Sequence, residues 1–431
     1  MSDLKYLLGF GNSIESEAVQ GALPQGQNTP QRCPFDLYAE QLTGTAFTAP
    51  RHLNLRSWQY KLRPSVSGQT VYKKLEKGHF SNDFGAFTVD PTQLRWKEPA
   101  MVEEGQSVDF VQGISTMAGI GDPALKTGLA IYMYSCNKSM ENKAFYSSDG
   151  DFLIVPQIGS LTLKTEMGRI HVGIQEIVVI PRGIKFSVCV EGPSRGYICE
   201  IFSGHLRLPE LGPIGANGLA NARDFLIPSA WFEDFEGNFT VVNKFSGELF
   251  EFTLNHSVFD TVAWHGTYYP FKYDLRNYNA MNTVTYDHPD PCIFTVLTCQ
   301  SADPGTAVLD FVIFPPRWMV GEHTFRPPYY HRNTMTEFMG NIIGSYDAKS
   351  AGFTPGTASL HSCMTAHGPE ASVFKKGSTI ELNPVRYPND HLQFMFETCF
   401  MLKLAPWALD RLDQNYLECW SGLDKLYVSG K

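Results

Sequence analysis

The feature that most limits what this chain can fold into is a succession of short β-type apolar runs bounded by Gly, Pro or Asp. They lie at 129–134, 152–155, 160–164, 170–172, 176–180, 185–190 and 196–202. A parallel α/β sheet would place a helix-period segment between such runs, and none is there. Strands that follow one another without crossover helices pair antiparallel, so the pattern predicts a sandwich or jelly roll. More runs, at 292–298, 308–314 and 392–397, belong to a second β-rich block that begins near 280. Residues 1 to about 125 mix turns such as Leu23-Pro24-Gln25-Gly26 with aromatic stretches, and read as irregular with a few strands. After Pro406, the residues Leu409, Leu412, Tyr416, Cys419, Trp420 and Leu423 recur at three- and four-residue steps, the period of a helix packed on a sheet face. The expectation is a mainly β chain of jelly-roll or β-sandwich portions with a C-terminal helix.

Composition agrees with that reading and removes several function classes. With 37 Gly and 27 Pro in 431 residues, the chain is rich in turns, and at 43% hydrophobic and 18% charged residues it can bury a sizeable core. A net charge of -9 without a basic stripe argues against a nucleic-acid partner. No uncharged apolar stretch approaches the ~18 residues a membrane span needs, and the N-terminus has no basic, then apolar, signal pattern; no membrane partner and a cytoplasmic location are expected. Nine scattered cysteines, never in C-x-x-C spacing, read as reduced, packed thiols. Gly119-Ile-Gly121-Asp-Pro-Ala124 nominally fits a dinucleotide fingerprint, but Pro123 stands where the helix should begin and no βαβ pattern surrounds it. P-loop, H-E-x-x-H and G-x-S-x-G motifs are missing from the sequence, so the histidines carry the question of chemistry.

His52, His79, His171, His205, His256, His265 and His391 stand alone in strands or turns and read as hydrogen-bonded structural residues. The stretch 288–370 differs, for it holds His288, His323, His331, His361 and His367 with Glu337 and Tyr346 among them. An extended strand would hold His331 and Glu337 about 20 Å apart. Ligands of one metal need donor atoms ~3 Å apart. If both bind one ion the chain must fold back between them, and Asn333-Thr334 is the plausible turn, with His331 ending one strand and Glu337 on the next. A third ligand would come from His361 or His367, six residues apart, which spacing does not rank. Two imidazoles and a carboxylate suit non-haem Fe(II) oxygen chemistry, and zinc could take the same donors.

The spacing His331-x-Asn333-x3-Glu337-x6-Gly344 resembles the first cupin motif, with Asn333 in place of its second histidine. An earlier block, from Gly150 to Gly159 and then Ile180-Pro181-Arg-Gly183, looks like a cupin half without ligands, Phe186 standing where a histidine would fall. The whole chain resembles the homogentisate 1,2-dioxygenase family. The shared strings include Tyr6-Leu-Leu-Gly-Phe-Gly-Asn12, Leu23-Pro-Gln-Gly-Gln-Asn-Thr-Pro30, Asp287-His288-Pro-Asp-Pro291, Arg326-Pro-Pro-Tyr-Tyr-His331-Arg-Asn333, Glu337-Phe-Met-Gly340 and His367-Gly-Pro369.

That resemblance implies a cupin-like fold divided into an N-terminal β-sandwich portion at 1–279, with a metal-free half, and an iron-binding portion at 280–431. It implies Fe(II) as cofactor, held by His331, Glu337 and His367, with His288 as catalytic base and Tyr346, His367 and His361 around the substrate. It implies homogentisate and O2 as reactants, 4-maleylacetoacetate as product in tyrosine and phenylalanine catabolism, and a homohexamer built as a dimer of trimers. Arg332 is set aside as a carboxylate partner because the residue after a ligand on a strand points away. The competing readings are a zinc-dependent isomerase or hydrolase on the same donors, and a non-catalytic bicupin binding protein.

Overall fold

The computed structural model describes residues 4–103, 105–210, 218–281, 284–286, 294–349 and 352–429. The chain divides into two compact units: 1–87 with 100–207 and 220–277, and 88–99 with 208–219 and 278–431.

In the first unit the expected runs are strands, most a residue or two longer than the apolar pattern. An antiparallel sheet follows the order Tyr6–Leu8, Leu226–Pro228, Phe271–Asp274, Glu176–Ile180, Asp151–Ile158, Ser194–Ile201, Thr127–Cys136 and Ile114–Asp122. A second sheet follows Gly168–Val172, Leu161–Thr165, Phe186–Cys189, Lys143–Ser147, Glu236–Phe245, Glu248–His256 and Lys73–Leu75. Rings join the two: Phe152 of the first packs against Phe145 of the second at 5.6 Å, and Phe145 meets Phe186 edge-on at 5.6 Å. All three are buried, and each such ring removed from water stabilises the unit by roughly 1.5–3 kcal/mol. Phe186 thus fills with an aromatic ring the position where the cupin pattern has a histidine.

The stretch before 125 holds more strands than expected, among them Tyr38–Thr43, Arg56–Lys61 and Ile114–Asp122. The two glycines of the failed dinucleotide pattern sit in this last strand, which turns back through Asp122 into Thr127–Cys136. Gly121 has φ +101°, and a Cβ there would lie 2.2 Å from the Thr127 carbonyl oxygen. It therefore serves a tight hairpin rather than a phosphate.

The second unit is built on one antiparallel sheet in the order Thr295–Gln300, Ala307–Phe314, Leu392–Thr398, Thr336–Ile343, Ala358–His361 and Leu94–Trp96. Alternation splits its residues between two faces. One cross-strand row is apolar: Leu297, Phe311, Phe396, Phe338, Leu360 and Leu94 are register partners in turn, and all are buried. The adjoining row, one residue along each strand and so on the opposite face, is polar and belongs to the site.

The C-terminal helix is present but shorter than its period suggests. An α-helix covers Pro406–Leu409, and after a break a 3-10 helix covers Tyr416–Trp420. Between them Leu412 bridges to Trp96 and the Asp413 N–H donates to the Arg95 carbonyl at 2.7 Å, so backbone pairing with the Leu94–Trp96 strand takes the groups a continuous helix would use.

Candidate metal centre

Each member of the polar row is fixed by strand register. His361 faces Glu337, Glu337 faces Glu397, Glu397 faces Asp310 and Asp310 faces Thr298. All five line one cavity of about 930 Å³, together with His331, Arg332, Asn333, Tyr346, Lys349 and His367.

His331 and His367 reach the row from outside the sheet. They form an isolated antiparallel bridge with each other, His331 N to His367 O at 3.0 Å and His367 N to His331 O at 3.1 Å. The expected fold-back between His331 and Glu337 is there: Asn333 Oδ1 accepts from the Met335 N–H at 3.0 Å and turns the chain into the Thr336–Ile343 strand. His331, however, pairs with His367 and not with the strand that carries Glu337, because the loop after Ala358–His361 brings His367 back beside it.

The two imidazoles are held alike. His331 Nδ1 is 2.7 Å from the Tyr329 carbonyl oxygen, and His367 Nδ1 is 2.8 Å from that of Thr365. A carbonyl only accepts, so each Nδ1 carries the proton and each Nε2 keeps its lone pair for a ligand. Both Nε2 atoms turn to the same carboxylate, His331 at 3.4 Å from Glu337 Oε1 and His367 at 3.1 Å from Oε2. One donor atom from each of His331, Glu337 and His367 lies within 4.8 Å of the other two. Two neutral nitrogens and one carboxylate oxygen, converging on a cavity wall with their far nitrogens anchored to backbone, fit a divalent transition metal.

The remaining expected residues divide. Tyr346 lines the cavity, its ring 5.0 Å from that of Phe314. His361 is buried, stacked on His367 with rings 4.3 Å apart and 9° from parallel, and its Nε2 is 2.8 Å from the Tyr416 hydroxyl. His288 lies outside the described residues. Arg332 lines the cavity after all, since at a turn the alternation that set it aside does not hold. Of the histidines read as structural, His171 meets Thr162 at 3.1 Å, His205 meets Asp151 at 2.6 Å and His391 meets Ser345 at 3.1 Å.

Sequence reasoning missed Lys349, Glu397 and Asp310. Lys349 donates to the Tyr416 hydroxyl at 3.1 Å, lies over the Tyr416 and Trp420 rings at 5.1 and 4.8 Å, and burial pulls its ammonium down to about 8. Glu397 is the only acid in the apolar strand Leu392–Thr398, and Asp310 breaks the apolar run of Ala307–Phe314. A lone carboxylate inside an apolar strand is the signal that could have found both.

Burial, then the neighbouring Glu337 charge, pushes the Glu397 carboxyl up to about 8. Burial alone would raise Glu337 as well, but the imidazoles of His331 and His367, when they carry a proton on Nε2, hydrogen-bond it and hold it well below the usual carboxylate range. Burial also works against a charged His331; its bonds to Glu337 and the Tyr329 carbonyl outweigh that and raise it above its ordinary value. A metal must displace this proton. Apparent metal affinity is therefore expected to stay level above the raised His331 value and to fall about tenfold per pH unit below it. Co(II) titrations at a series of pH values check this, and a flat profile down to about pH 5 would contradict it.

Comparison with known proteins accords with this geometry. The family model described as "Homogentisate 1,2-dioxygenase N-terminal" matches residues 5–275, and the one described as "Homogentisate 1,2-dioxygenase C-terminal" matches residues 276–427. The chain is 56% identical over 423 residues to a Dictyostelium discoideum homogentisate 1,2-dioxygenase, covering 98% of this chain and 97% of that one. It is 52% identical over 431 residues to the Homo sapiens enzyme of that name, with the same coverage. A Drosophila melanogaster relative is 54% identical over 430 residues, covering 98% of each chain.

Proposed function

Because the chain belongs to the homogentisate 1,2-dioxygenase family, we propose that its His331, Glu337 and His367 hold Fe(II) and that it opens the ring of homogentisate with O2 to give 4-maleylacetoacetate. The observation that carries the reading is the convergence of those three donors on the wall of a cavity that also presents Tyr346 and His361.

When bound, Fe(II) would supply open coordination positions for a substrate oxygen and dioxygen and a path for electrons between them. The side chains account for the rest. The reaction adds both oxygen atoms and breaks the ring bond between the carbon bearing the acetate arm and the hydroxylated carbon beside it. The phenol proton must leave first, and His288 takes it, as a histidine titrates near neutral pH without perturbation. Tyr346 orients a substrate oxygen through its hydroxyl. His367 contributes the edge of its ring to the substrate side of the centre, and His361, stacked behind it, keeps that ring in place. Arg332 and Lys349, both on the cavity wall, offset the charge of an anionic substrate. The division of labour follows the chain, with 280–431 binding iron and 1–279 serving as metal-free scaffold. Assembly as a homohexamer, a dimer of trimers, and a cytoplasmic location complete the reading and rest on the family alone.

The test is to load purified protein with Fe(II) under anaerobic conditions, add homogentisate, then admit air while following oxygen uptake and product absorbance. One O2 consumed per homogentisate is the expected stoichiometry. A fully iron-loaded sample that takes up no oxygen would sink the proposal.

A further inference from the structure

Asn333 occupies the place of the second histidine in the cupin pattern, yet its amide does not behave as a vacant ligand. Its Oδ1 accepts from the Met335 N–H at 3.0 Å. Its Nδ2 donates to two carboxylates at once, Glu337 Oε1 at 3.2 Å and Glu397 Oε1 at 3.0 Å. The two acids sit opposite each other on neighbouring strands, both buried, an arrangement that is unfavourable without a donor between them. Reversing the amide would set its NH2 against the Met335 N–H, so the orientation is determined. The chain around it is tied down as well, since the Asn333 carbonyl accepts from the Met364 N–H at 2.7 Å.

The consequence concerns Glu337. Its Oε1 is engaged by the Asn333 amide at 3.2 Å and also faces His331 Nε2 at 3.4 Å, whereas its Oε2 faces His367 Nε2 at 3.1 Å and, among the described residues, meets no amide donor. We propose that Asn333 is a positioning residue that keeps Glu337 a one-oxygen ligand: it holds Oε1 by hydrogen bond and leaves Oε2 to the metal. An asparagine at this place then does two things that a histidine would not. It withholds a fourth protein ligand, and it prevents the third from spreading over two coordination positions, so that positions for substrate and dioxygen stay open.

The inference rests on the metal reading above, and the experiment separates the two. Co(II) is titrated into metal-free wild type, Asn333→Ala and Asn333→Ser, with affinity read by chelator competition and coordination by the visible Co(II) spectrum. Serine can still accept from the Met335 N–H and so keeps the turn, but it is too short to hold both carboxylates. Both variants are expected to bind Co(II) about tenfold or more weakly. Their visible absorption is expected to be weaker as well, since a carboxylate free to bind through both oxygens raises the coordination number. If Asn333→Ser matches wild type in affinity and spectrum, Asn333 only makes the turn and the inference is overturned, whatever Asn333→Ala does. Wild type that takes up no Co(II) would sink the metal reading, and this inference with it.

Discussion

His331→Ala and His367→Ala are each expected to purify without metal and without measurable oxygen uptake, whereas His288→Ala keeps its metal and loses turnover by roughly 10²–10⁴-fold. The asymmetry follows from what each side chain does. His331 and His367 supply two of the three donors that lie within 4.8 Å of one another, and alanine removes the whole imidazole, so only two donors remain. Losing a residue that merely supports a ligand weakens metal binding about 10–100-fold. Losing a ligand itself must cost more, and it leaves Glu337 buried with one imidazole partner fewer. Glu337→Gln belongs to the same class, since it removes the only negative charge among the three donors. On the proposed reading, His288 moves a proton and holds no metal. The measurements are metal content after dialysis and oxygen uptake with homogentisate. His288→Ala protein that comes out metal-free would refute its role as base, and His331→Ala protein that retains a full equivalent would refute the ligand set.

Much of this centre could be read from the chain because its parts are close in sequence. The turn at Asn333 joins two of the three candidate donors, six residues apart, and two imidazoles with one carboxylate point to a divalent transition metal without choosing iron over zinc. What could not be read is long-range pairing. Spacing treats His361 and His367 alike; the distinction arises because the loop after Ala358–His361 returns His367 to pair with His331, while His361 stays in register with Glu337 on the sheet. Likewise Leu94–Trp96 is a short segment in a stretch that reads as irregular, and it becomes the edge strand of the sheet that carries Glu337 and His361 by pairing with residues about 260 positions later. The strand runs from 129 to 202 were legible because each is a short apolar stretch bounded by turn residues, and most of their residues are buried. The C-terminal helix was over-extended for the opposite reason: a helical period records which residues are apolar, not whether the backbone has a better partner, and here Arg95 and Trp96 provide one.

Lys244→Met is expected to destabilise the first unit by about 3–5 kcal/mol. Its Nζ lies 2.6 Å from Asp149 Oδ2 and 3.0 Å from Glu200 Oε2, and the side chains of all three are at most 3% exposed. Around this core the carboxylates are saturated with donors. Glu200 accepts from the Tyr132 and Ser147 hydroxyls, both at 2.6 Å, and Asp149 from the backbone N–H groups of Ser246 and Gly247 at 2.6 and 2.8 Å. Those donors orient the acids but carry no charge, so without the ammonium two negative charges remain in a site closed to water. The penalty therefore belongs to the acids left behind, and neutralising one of them should return part of it. Lys244→Met/Glu200→Gln is expected to be more stable than the sum of the single effects predicts, with a coupling of about 1–3 kcal/mol. Removing the exposed partner of Arg63 by Glu236→Gln, where the carboxylate is 79% exposed, is expected to shift stability by less than about 1 kcal/mol. Urea unfolding midpoints of wild type, Lys244→Met, Glu200→Gln, the double variant and Glu236→Gln decide the matter: a Lys244→Met midpoint no lower than that of Glu236→Gln would mean that water reaches the buried acids and that the network does not hold the sandwich together.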